Sequence, residues 1–132
     1  MTADGLTTCE SRYGAKDTMD RLAAAVTARG MTILARIDHA AAAAEVGLAL
    51  RPTQVLIFGN PRAGTPLMQA APTIGIDLPL KALIWQDEAG RTWLSYNEPK
   101  WLAHRHGAEA STAQVLGAMT DALVAVATEA TV

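Results

Sequence analysis

The sequence predicts an α+β fold: a small mixed β-sheet with a hairpin, and helices packed on it. Three observations carry this. Stretches with the i, i+3, i+4, i+7 apolar spacing of amphipathic helices alternate with short β-type runs, in the order β-α-β-α-β-α-β-β-α-α. The segment "LKALIWQ-DEAG-RTWLSYN" reads as two strands closed by a glycine-containing turn. Half of the 132 residues are hydrophobic and 18% are charged, a globular composition with enough chain for one domain. Crossover units beside a hairpin predict a sheet that mixes parallel and antiparallel neighbours. The expected domain spans residues 1–132, with its core at about 11–128.

Each element has its own signal. Thr7 to Ser11 makes a short first strand, and Gly14 the turn after it. In "AKDTMDRLAAAVTARG", Met19, Leu22, Ala23 and Val26 form one stripe, and Gly30 closes the helix as a left-handed cap. "MTILARID" alternates, with Met31, Ile33, Ala35 and Ile37 facing one way. Asp38 then caps the alanine-rich helix "HAAAAAEVG", which ends at Gly47. "TQVLIFG" is continuously apolar, the pattern of a strand buried on both faces. Thr65 as N-cap and Pro66 as first helical residue start a short helix that Pro72 ends. Pro99 to Arg105 is a helical turn. The last helix, about Ser111 to Thr128, carries Val115, Leu116, Met119, Ala122, Leu123 and Val126 on one face.

In the hairpin, pairing Gln86 with Arg91 sets Lys81 opposite Tyr96, Leu83 opposite Leu94 and Trp85 opposite Thr92. A slip of one residue would move Lys81 to Asn97.

Several function classes lose support. A net charge of −2 with no run of basic residues gives no electrostatic footprint for nucleic acid or for an anionic membrane surface. The first fifteen residues lack the basic start and apolar core of a secretory signal, and no stretch approaches the roughly 20 apolar residues of a membrane span. A cytoplasmic location is the expectation. Cys9, the lone cysteine, reads as a buried structural thiol. No G-x-S-x-G, G-x-G-x-x-G or C-x-x-C occurs, and no cofactor is expected.

"GNPRAG" at 59–64 matches the front of a phosphate-binding loop. Thr65 and Pro66 then stand where lysine and a magnesium-binding hydroxyl should be, and Pro61 removes an N–H donor. A turn followed by a helix fits better. "HRH" puts His104 and His106 two apart, which on a helix separates them, so no metal site is expected.

Five polar residues remain as ligand-binding candidates: Asp38, His39, Asn60, Lys81 and Tyr96, at strand ends or on the hairpin face. Lys81, on an otherwise apolar face, needs a partner such as Asp77, Tyr96, Glu98 or a bound anion.

The segments "ARIDHAAAAAEVGLALRPTQVLIFGNPRAGTPLM", "IDLPLKALIWQDEAGRTWLSYNEP" and "LAHRHG" resemble the DUF302 family over about Ser11 to Thr128. The resemblance implies a TT1751-like α/β fold, often homodimeric, with no established activity and no catalytic residues to carry over. The favoured function is a homodimeric small-molecule binding module taking a small polar or anionic ligand. One alternative is an enzyme with His39 or Lys81 as acid or base. The other is an interaction protein, with Trp85, Trp93 and Trp101 at a dimer interface.

Overall fold

The computed structural model describes residues 3–132; Met1 and Thr2, the start of the stretch tested for a signal, lie outside them. The elements run β1 (Leu6–Ser11), α1 (Ala15–Ala28), β2 (Thr32–Asp38), α2 (His39–Glu45), β3 (Thr53–Gly59), α3 (Pro61–Ala70), a 3-10 turn (Pro72–Ile76), β4 (Leu80–Gln86), β5 (Thr92–Asn97), α4 (Pro99–His106), a second 3-10 turn (Glu109–Ser111) and α5 (Ala113–Thr131). The α+β class and the element order are those read from the sequence.

The sheet order is β1-β5-β4-β3-β2. Every neighbouring pair is antiparallel, which corrects the expected mixture. The crossover β1-α1-β2 does join strands of the same direction. It lands at the far edge, however, with three strands between, so the two like-directed strands never pair.

Pairing fixes two faces. Cys9, Leu56, Phe58, Ala82, Ile84, Leu94 and Tyr96 share one, through the pairs Cys9–Leu94, Leu56–Ala82 and Ala82–Tyr96. Against it pack Met19, Leu22 and Val26 of α1 and Leu116, Met119, Leu123 and Val126 of α5, all in one buried core. The stripes read on both helices therefore face the sheet.

The opposite face is different. Val55, Ile57, Leu83, Trp85 and Trp93 lie on it, paired as Val55–Leu83 and Trp85–Trp93, and all are only half-buried. The apolar run of β3 is therefore fully buried on one face only. At the edge, β2 carries a bulge between Ile33 and Ala35 that breaks the expected alternation, and Ile33, Leu34 and Ile37 are exposed. Val46, Leu48 and Leu50, following α2, are exposed too.

Local chemistry explains two further corrections. Asn60, not Thr65, caps α3: its side chain accepts from the Arg62 N–H at 3.0 Å. Pro61 takes the first helical position, and Pro66 sits inside the helix. In the hairpin, Asp87 Oδ1 accepts from the backbone N–H of Ala89 and of Arg91, both at 2.9 Å, while Gly90 adopts φ +83°. That three-residue loop sets Asp87, not Gln86, opposite Arg91. The whole ribbon slips by one residue, giving Ala82–Tyr96, Ile84–Leu94 and Trp85–Trp93.

Candidate functional site

The slip relocates the residue pair on which the polar site was built. Tyr96 pairs with Ala82 and Thr7 and turns to the helix-covered face, where it is buried; burial raises its hydroxyl pKa, partly opposed by a hydrogen bond with Thr7. Lys81 stays on the open face. Its Nζ donates to the backbone carbonyls of Pro79 at 3.0 Å and Asp77 at 3.3 Å, so two fixed dipoles serve it and no side chain does. Around it a shallow hollow of about 300 Å³ is lined by Leu6, Val55, Leu83, Trp85, Ser95, Tyr96 and Asn97.

Asp38 and His39 lie elsewhere. Asp38 pairs with Gln54 at the far end of β2 from Thr32, which pairs with Gly59 beside Asn60. Six residues of extended chain separate the two ends by about 20 Å. Asp38 accepts from the Ala41 N–H at 2.9 Å, and His39 is exposed in the first turn of α2. The five candidates therefore divide among three places: Asp38 with His39 at one sheet end, Asn60 at the other, and Lys81 with Tyr96 at the small hollow, where their side chains leave the sheet on opposite faces.

Asn60 belongs to the larger hollow. A cavity of about 610 Å³ opens where the C-terminal end of α1, the start of β2, the first turns of α3, the Leu78–Leu80 entry to β4 and the middle of α5 converge. Its walls are mainly carbon, with Met31, Leu34, Met68, Leu78 and Met119 as the large side chains. Polar groups are few: Arg29, Thr32, Asn60 and Thr65. Gly64 lines it as well, and a Cβ there would meet the Leu78 and Met68 side chains only at ordinary contact distance, 3.8 and 3.9 Å. A fold that converges apolar walls on a few polar groups can enclose a small organic molecule.

The loop "GNPRAG" makes no phosphate cradle here. Pro61 has no N–H, the Arg62 N–H is held by Asn60 Oδ1, and those of Ala63 and Gly64 bond the Asn60 carbonyl at 2.9 and 3.0 Å. No donor is left over in the first turn for an anion.

One polar cluster was invisible in the sequence. Asp77 Oδ2 accepts from Arg105 at 2.7 Å and bonds His106 Nε2 at 2.5 Å; His106 Nδ1 meets Thr73 Oγ1 at 2.8 Å. Hydroxyl, imidazole and carboxylate thus form a chain. Burial pushes the Asp77 carboxyl up, but the hydrogen bonds and charges of His106 and Arg105 outweigh it and hold the group below the usual carboxylate range. None of these four residues lines either hollow. With Arg105 neutralising Asp77 and the contacts joining Thr73 and Asp77 to Arg105 and His106, the cluster reads as a clamp between the 3-10 turn and α4. His104 bonds Glu109 at 2.9 Å instead, so the two histidines serve separate partners.

Cys9 is half-buried on β1 against the core, and burial raises its pKa despite a hydrogen bond from Thr131. Trp85 and Trp93 stack at 6.1 Å between centroids, whereas Trp101 sits apart on α4 against Gly5.

Sequence reasoning missed Arg29, Met31, Met68 and Met119 as neighbours. Each was read within its own helix or strand, and only packing of five elements joins them.

Comparison with known proteins places these features in context. A family described as "Domain of unknown function DUF302" matches residues 7–126. A crystal structure described as an uncharacterized conserved DUF302 protein from Bacillus stearothermophilus superposes with a TM-score of 0.85 at 21% identity, covering 97% of this chain and 99% of that one. Proteins named "Fluoride-specific ion channel FluC 1" from Brucella suis and Brucella abortus are each 49% identical over 115 residues, 87% of this chain. The chain spans 45% and 43% of their respective lengths, less than half of either. No helix of the described residues is long and apolar enough to cross a membrane.

Proposed function

From the premise that the chain belongs to the DUF302 family, we propose that it is a homodimeric small-molecule binding module whose ligand lies in the methionine-lined cavity. The observation that carries this is the cavity itself: about 610 Å³, within the usual range for organic ligands, with apolar walls and few polar groups. Methionine suits such a wall because its unbranched thioether adapts to irregular shapes. Filling the space tests the reading. A Gly64→Phe variant adds a ring from a position with room for a Cβ, and a thermal-shift screen of apolar metabolites should raise the wild-type midpoint and leave the variant unmoved. Equal shifts for both proteins would refute it.

The dimer follows from the uncovered sheet face. β3 is written for burial on both sides, and the stacked Trp85–Trp93 pair with Leu83 and Val55 would supply the apolar layer of a sheet-on-sheet contact. Sedimentation at micromolar concentration should give twice the chain mass of 13.9 kDa, and Trp85→Glu should return the protein to a monomer. A monomeric wild type defeats this half of the proposal.

The Brucella relatives favour a second reading, in which the domain serves a membrane protein that handles fluoride. The apolar cavity offers a small, strongly hydrated anion little in exchange for its water. The domain would therefore act as a companion of the channel, not as its anion site. A midpoint raised by sodium fluoride and not by sodium chloride would instead locate an anion site in the domain.

A further inference from the structure

The polar groups of the cavity are not a random sample, and their character says what the ligand carries. Resting on the binding proposal above, the geometry points to an amphiphilic monoanion, an apolar chain ending in a carboxylate-like head, with Arg29 at the head. Arg29 is the single charged residue of the lining; no Asp or Glu contributes to it. Its guanidinium makes no ion pair and no side-chain hydrogen bond among the described residues, unlike Arg36 with Asp20, Arg105 with Asp77 or Arg51 with the Gln86 carbonyl. The fold holds it there by its backbone. Arg29 is the C-cap of α1, its N–H bonded to the Ala25 carbonyl, and Gly30 follows at φ +78°.

The other polar groups agree. Asn60 spends its side-chain oxygen on the Arg62 N–H, which leaves its amide N–H groups for a ligand. Thr32 and Thr65 add hydroxyls that have no partner among the described residues. Donors therefore outnumber acceptors, and a cationic head would find no counter-charge. The remaining wall of Met31, Leu34, Met68, Leu78 and Met119 takes an alkyl body. Arg29 itself is exposed, which puts the head at the mouth and the chain inward.

Isothermal titration with octanoate and with 1-octanol tests this, using wild type, Arg29→Gln and Gly64→Phe. Octanoate should bind wild type about tenfold tighter than 1-octanol, as a partly solvated charge-assisted contact allows. Arg29→Gln should erase that preference and leave 1-octanol unchanged. In the series hexanoate, octanoate, decanoate, each added methylene should tighten binding about fourfold. If 1-octanol binds wild type as tightly as octanoate, or Arg29→Gln keeps the preference, the anionic head is wrong while the cavity proposal stands. If neither compound binds wild type, or Gly64→Phe weakens neither, the cavity proposal fails and takes this inference with it.

Discussion

Replacing Asp77 with asparagine isolates the clamp between the 3-10 turn and α4. The carboxylate is 18% exposed and accepts from Arg105 at 2.7 Å and from His106. Hydrogen bonds to charged groups contribute about 1.5–3 kcal/mol each, but Arg105 is half-exposed, which cuts its share to under about 1 kcal/mol. The His106 contact, with the imidazole only 8% exposed, retains most of its value. Asparagine keeps one acceptor oxygen and loses the charge, so a net loss of about 2 kcal/mol is expected at neutral pH.

For 132 residues at about 2.1 cal/mol/K each, that lowers Tm by roughly 7 °C. The pH dependence has a definite sign. Because the folded carboxyl titrates below its unfolded value of about 3.9, its stabilisation is fully present above that pH and is lost as pH falls through the folded value. Urea melts of wild type and Asp77→Asn from neutral pH downward should therefore converge in the acid range. A loss under about 0.5 kcal/mol at neutral pH would show that the cluster contributes little as a clamp, and a gap that persists in acid would refute the carboxylate charge as its source.

Other outcomes follow from the same packing. Gly5 has φ +71°, and a Cβ there would stand 2.2 Å from Trp101 Cδ2, so Gly5→Ala should lose about 2 kcal/mol or more in a chemical melt; a Trp101→Ala background should recover the clash and leave the left-handed backbone cost of about 1–2 kcal/mol. Phe58, fully buried on the interior strand β3, should cost about 3–5 kcal/mol in a urea melt on truncation to alanine. Since burial raises the Cys9 thiol pKa, native protein at neutral pH should react with a thiol reagent much more slowly than protein in denaturant; equal rates would contradict its placement.

Much of the fold was legible because its signals are local. The Asp38 cap, the left-handed glycines at 30 and 47, and the buried stripes of α1 and α5 each depend on a few neighbouring residues. The register of the hairpin escaped because it rests on one side chain: Asp87 binding two backbone N–H groups moved every partner by one place. The start of α3 escaped similarly, since Asn60 and Thr65 are both good caps and only the paired first turn shows which one acts.

The cavity was least visible. A search for polar residues at strand ends finds Asn60, yet the surface around it comes from side chains that individually look like core. Asp77, His106 and Thr73 were likewise scattered over 34 positions, and only the docking of α4 against the 3-10 turn joins them.

The arrangement of strands has a bearing on how the chain could be cut. Both outer strands come from the first 38 residues, while the middle three come from residues 53–97. A fragment beginning after Asp38 would lose its borders on the left and the right together, leaving β5 and β3 with unpaired backbone along their whole length. Such a remnant invites edge-to-edge stacking with its own copies, so the opening third of the chain doubles as a guard against aggregation.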